Sequence, residues 1–133
     1  MTQENKELLI KDLCARLPYG VIVNVNGFDY DYNDKLTQIY NGYGCSIQVT
    51  TNMPYDIEQV KPYLFPLSSM TEGQCYELAS IRSEFQDCWK YIKTPIPLSI
   101  CNFEQIYWFH RNHFDYIGLI EKGLAIDATD KNI

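Results

Sequence analysis

The sequence predicts an α+β fold. It has an N-terminal helix, a four- to five-strand antiparallel meander forming a small SH3-like barrel, and a helical C-terminal half ending in a helix–turn–helix hairpin. Three observations carry this. Apolar residues recur at helical spacing over residues 3–17, alternate with a period of two from Gly20, and return to helical spacing after Thr71. The chain has 133 residues, the usual size of one domain, and is read as a single domain over 1–133.

The first helix spans 3–17. Leu9, Leu13 and Leu17 form its stripe, Ile10 and Cys14 widen it, Thr2 is the N-cap and Pro18 stops it. Glu7–Lys11 and Asp12–Arg16 are i,i+4 pairs with the acid first, the better orientation on a helix. Residues 20–67 form the meander. Val21, Val23 and Val25 alternate with Ile22 and Asn24, and Asn26-Gly27 signals a hairpin. The return strand Phe28–Tyr32 carries three aromatics on one face and two aspartates on the other. Turns follow at Asn33-Asp34 and Asn41-Gly42. Pro62 and Pro66 make Ile57–Leu67 an edge strand or extended crossing. Thr71 and Gln74 have capping-box spacing before a helix over 71–92. Asn102 with Gln105 resembles a second box, opening a helix over Phe103–Arg111. Asp115 is expected to cap a fourth helix running to Lys122, with Gly123 and Leu124 closing it as a Schellman motif, so that 102–126 forms a hairpin. The first residues and Thr129–Ile133 are expected to fray.

With 46% hydrophobic and 14% aromatic residues, the chain has material for a core, which excludes general disorder. Its net charge is −6, and Arg82, Lys90 and Lys93 are interleaved with Glu84 and Asp87. No basic stripe is present for a phosphate backbone, so no nucleic-acid partner is expected. Charges interrupt Met1–Arg16, and no apolar run approaches the roughly 20 residues of a membrane helix. No membrane partner is expected. The five cysteines, Cys14, Cys45, Cys75, Cys88 and Cys101, include no CxxC pair and match no zinc module. They are read as buried free thiols in a reducing cytoplasm.

His110-x-x-His113 is the one histidine pair, and Asp115 stands near enough to be a third metal ligand. The alternative is a helix that breaks at Asn112, with His113 bonded to the turn and Asp115 capping; this is preferred, and no metal or cofactor is expected. Cys–His catalysis would need a thiolate beside a histidine, and no cysteine has a nucleophile's context. Asp29, Asp31 and Asp34 are acids that acid/base or cation chemistry could use, but the alternation makes them a solvated face. Among 11 tyrosines and six phenylalanines, Tyr40, Tyr43, Tyr55 and Tyr63 lie near strand ends or loops, where not all can be buried. They form the candidate recognition surface, with Lys61, Arg111 and His113 as its polar members.

Three stretches resemble a family of short prophage and mobile-element proteins of gut anaerobes that has no assigned activity: LCARLPYGV (13–21), VKPYLFPLSSMTE (60–72) and WFHRNHFDYIGLIEKGLAIDA (108–128). The resemblance implies a shared fold and a mobile-element setting, and no chemistry. Phe65 and Ile117 stand where the family tends to carry Arg, and Asn112 where it often carries His. A site built on those basic groups would be partly lost here.

The expected function is a non-enzymatic module of a phage or mobile element that binds a host or competitor protein as an inhibitor, accessory or anti-defence factor. The alternative is a protein sequestering a small signalling nucleotide, with tyrosine stacking and Arg111 or Lys61 on phosphate. A small enzyme is the third reading.

Overall fold

The computed structural model describes residues 1–26, 31–42, 44–49, 54–81 and 103–131. Tyr43, Asp29, the side chains of Cys45, Cys88 and Cys101, Asn102 and the helix expected beyond Ile81 lie outside them. The fold is α+β with a mixed sheet. In chain order it comprises α1 (Gln3–Arg16), β1 (Ile22–Asn26), β2 (Asp31–Gly42), β3 (Gly44–Val49), β4 (Pro54–Asp56), β5 (Val60–Pro66), α2 (Glu72–Ile81), α3 (Phe103–Arg111), β6 (Phe114–Asp115) and β7 (Ile126–Asp127). No helix among the described residues is long and apolar enough to cross a membrane.

Helix α1 begins where its cap dictates, with Thr2 Oγ1 accepting from Asn5 N at 3.1 Å. Its buried face is the expected stripe without Cys14: Ile10 and Leu17 pack against the core beside Leu9 and Leu13. Leu9 and Leu13 are fully buried, but so are Asp12 and Arg16, whereas Cys14 is exposed. The stripe therefore turns toward the charged pair. Leu17–Tyr19 tightens into a 3-10 turn that ends on Gly20, whose φ of 71° suits glycine.

The strand order is β4-β3-β2-β1-β5-β6, with β7 also on β5. The turn expected at Asn33-Asp34 is absent. These residues continue β2 opposite Asn24 and Val23, and Asn33 Oδ1 accepts from Asn24 Nδ2 and from the Tyr63 hydroxyl. The 12-residue β2 serves two partners: Asp31–Lys35 pair with β1, and Leu36–Gly42 pair with β3 past an irregularity between Leu36 and Gln38. Nor is β5 an edge. Val60–Pro62 pair antiparallel with β1, and Tyr63–Pro66 pair in parallel with β7 and β6. A 3-10 turn, Ile57–Gln59, precedes β5 and is closed by an Asp56–Gln59 capping box.

The capping box at Thr71 forms as expected: Gln74 N donates to Thr71 Oγ1, and Thr71 N donates to Gln74 Oε1. The fourth helix does not form, so the expected hairpin is corrected to one helix, α3, followed by a looped return. Asp115 does cap, but its carboxylate accepts from Gly118, Leu119 and Ile120 N–H at 2.9–3.0 Å and so organises a single turn. That turn ends in the expected Schellman pattern, with Leu124 N on Leu119 O, Gly123 N on Ile120 O, and Gly123 at φ 74°. A longer helix is precluded because Phe114–Asp115 and Ile126–Asp127 on either side are taken up by β5. The end is anchored through Lys131 rather than frayed from Thr129: Thr129 N donates to Asp127 Oδ1 and Lys131 N to Ala128 O.

Two apolar clusters result. One joins Leu9 and Leu13 of α1 to the sheet interior (Val23, Val25, Ile47, Val60) and to Leu119 and Leu124. The other packs Leu67, Met70 and Leu78 against Trp108, Phe109, Phe114 and Tyr116.

Candidate functional site

Helix α1, helix α3 and strand β6 meet at Arg16. Its guanidinium is fully buried: Nε donates to Asp12 Oδ2 at 2.9 Å, Nη1 to the Phe109 carbonyl at 3.3 Å and Nη2 to the Phe114 carbonyl at 2.6 Å. A fork with five donors suits such a junction between helix end and strand. The chain beyond α3 attaches to β5 through Phe65 N on the His113 carbonyl and Ala128 N on the Leu64 carbonyl, both 2.8 Å.

The histidine pair lies beside this arginine. Helix α3 ends at Arg111, and Asn112 Nδ2 donates to the Trp108 carbonyl. His113 adopts a left-handed φ of 57°, which turns the chain into β6. His110 Nε2 lies 2.8 Å from the Tyr116 hydroxyl, while His113 Nδ1 is buried without a hydrogen-bond partner among the described residues. The Asp115 carboxylate is committed to the turn, so the three do not converge. Among the described residues, no group of His, Cys, Asp or Glu side chains could hold a metal ion. Burial first, and the Arg16 charge second, push both histidines down to about 4, leaving them neutral at pH 7. Burial raises Asp12 above the usual carboxylate range, against the opposing pull of Arg16. This chemistry is structural. It holds α1, α3 and β6 together.

The expected tyrosine surface is distributed rather than gathered. Ile39, Ile47 and Tyr55 form one cross-strand row facing the core, and the Tyr55 and Tyr32 hydroxyls bond to each other. Tyr40 is one residue on from Ile39, so it belongs to the opposite face, where it is exposed. Tyr63 is buried, its hydroxyl on Asn33. Lys61 is exposed on β5, in register with Asn24. Arg111 is exposed at the end of α3, and His113 is half-buried at the turn. Tyr43 lies outside the described residues.

Among the described residues, two clefts that open to solvent border these elements. The larger, about 330 Å³, has Phe65 and Phe114 in its wall with Thr71, Asn112, Asp130 and Lys131. Among the described residues of its wall, the one cation, Lys131, has Asp130 beside it. The smaller, about 180 Å³, is lined by Ile81, Glu104, Tyr107 and Arg111. It borders the most exposed aromatic feature described. Phe103 is 77% exposed and Tyr107 51%, and with Arg111 they occupy i, i+4 and i+8 of α3, forming one outward ridge; Tyr76 of α2 is 63% exposed.

Sequence reasoning missed Phe103, Tyr107 and Tyr76. A signal was available: α3 carries two apolar faces, one of Trp108 and Phe109 and one of Phe103 and Tyr107, and a short helix packed on one side buries only one of them. No protein family, curated protein or solved structure matches the chain, so its placement rests on this geometry.

Proposed function

We propose that the chain is a non-enzymatic binding module that recognises another protein through the outward ridge of α3. The carrying observation is the exposure of Phe103 and Tyr107 in line with Arg111 on a helix whose other face is anchored by Trp108 and Phe109. Aromatic residues and arginine dominate the energetics of protein interfaces, and a helix held from behind presents them at little entropic cost. Binding without chemistry is what an accessory or inhibitory factor requires.

The scaffold is read as a small SH3-like barrel with α1 packed against it. The order β4-β3-β2-β1-β5, the sharing of β2 between two partners and the 3-10 turn before β5 support this reading. The nucleotide-sequestering alternative needs converging cations. Lys61 and Arg111 line no common cleft among the described residues, and the larger cleft offers Lys131 next to Asp130.

The test is capture from lysate with the tagged chain and its variants. Tyr107→Ser is expected to lose the co-purifying protein, and Tyr40→Ser, on the sheet face, to retain it. Equal capture by both variants would remove the ridge from the mechanism.

A further inference from the structure

We infer that the α3 ridge is self-complementary and that its partner is a second copy of this chain, docked antiparallel about a twofold axis. This rests on the ridge being a protein-binding surface and names the occupant.

The inference comes from the order of residues along nine positions of helix. Exposed Glu104 and Arg111 stand seven residues apart, which places them within about 20° of each other on the helix circumference. They therefore share one edge of the ridge, the acid at its N-terminal end and the base at its C-terminal end. Neither has an ion-pair partner among the described residues. Two such helices side by side and antiparallel bring Glu104 of each copy opposite Arg111 of the other, so the pair is made twice, as an isologous contact requires. A parallel arrangement would instead set like charges together.

The midpoint of the Glu104–Arg111 span falls between Tyr107 and Trp108, and since Trp108 is buried, the same axis brings the two exposed Tyr107 rings together near the centre. Phe103 of one copy lies near Arg111 of the other, where a guanidinium can rest on the ring. The cleft between Ile81 and α3 lies on the Glu104–Arg111 edge and gives an incoming side chain a seat. A nine-residue helix is about 13.5 Å long, so the contact is small and the dimer weak and reversible. The net charge of −6 on each copy opposes approach at low salt, which sets physiological salt as the condition for observing it.

The experiment is sedimentation equilibrium from micromolar to millimolar protein, on the full chain and three variants checked by circular dichroism. The wild type is expected to dimerise. Arg111→Glu places like charges opposite each other and is expected to weaken dimerisation about tenfold or more. The double variant Glu104→Arg/Arg111→Glu restores both pairs with the signs exchanged and is expected to return to near the wild-type constant. Tyr107→Ser is expected to weaken the dimer without repair by the charge exchange. A wild type that stays monomeric throughout overturns the inference, as does a dimer indifferent to Arg111→Glu or a double variant no better than the single. If the wild type is monomeric while Tyr107→Ser still abolishes lysate capture, the binding reading stands and the homotypic partner falls. If neither is seen, both fall.

Discussion

The two sides of α3 are built on opposite principles. Inward, His110 and the Phe109 carbonyl belong to a junction in which a buried arginine is bonded to a carboxylate and two backbone carbonyls. Outward, Phe103, Tyr107 and Arg111 face solvent. Polar groups have been placed where burial makes them costly, and large apolar groups where water meets them. In the inner set Arg16 donates to Asp12 Oδ2 and two backbone carbonyls in a low dielectric, which fixes how α1, α3 and β6 meet. The outer set is expected to add little to the folded monomer that a smaller polar residue would not. On the proposed reading, stability belongs to one side of the helix and recognition to the other.

The largest effect that could break this comparison is expected at Arg16. Arg16→Met should cost about 3–5 kcal/mol in urea unfolding, because Asp12 is left buried without a counter-charge and two carbonyls lose their donor. Adding Asp12→Leu should recover much of that loss, since an apolar pair replaces the ionic one. A loss below 1 kcal/mol for the single variant would mean that the junction is not structural.

Acid should act next, through the same side. The folded histidines titrate near 4 rather than 6.5, so the unfolded chain binds protons more readily. The stability they contribute is fully present above pH 6.5 and is lost as pH falls from 6.5 toward 4, roughly 2 kcal/mol for each histidine by pH 4.5. Asp12, shifted up, has the opposite sign: its contribution is present below the ordinary carboxylate pKa and fades as pH rises through the folded value. Urea midpoints from pH 7 down to 4.5 should therefore fall. His110→Gln should flatten that slope, whereas Arg111→Glu should leave it alone.

A smaller loss, about 2 kcal/mol, is expected for Asp115→Ala, which strips three backbone N–H groups of their acceptor. Asp115→Asn keeps one acceptor oxygen and should lose less. At the bottom of the scale, Tyr107→Ser should move the unfolding midpoint by no more than about 0.5 kcal/mol.

These differences also show what the sequence made legible. Where a local rule decided, expectation and structure agree: the Thr2 cap, the Thr71–Gln74 box, the bounds of α3 and the Schellman closure at Gly123. Each depends on residues within five or six positions of one another. The Asp12–Arg16 pair was legible but its burial was not, because a helical acid–base pair looks the same whether water or two distant carbonyls complete it; those carbonyls lie 93 and 98 residues away. The fourth helix failed for a related reason. Asp115 had the right chemistry for a cap, yet parallel pairing with β5 claimed both flanks, and such pairing leaves no periodic mark. Asn33-Asp34 reads as a turn by composition but is held in β2 by Asn24 and Tyr63 across the sheet. The candidate tyrosines were chosen for lying near strand ends, and strand parity then sent Tyr55 inward and Tyr40 outward. Arg111 alone of the expected site residues sits on the α3 ridge.

The most direct measurement is a paired one on the double variant Phe103→Ser/Tyr107→Ser, comparing its urea unfolding midpoint and its association with those of the wild type. An unmoved midpoint with association lost is the predicted result, with the outer face serving recognition alone. A lowered midpoint with association intact would contradict it and return those aromatics to the fold.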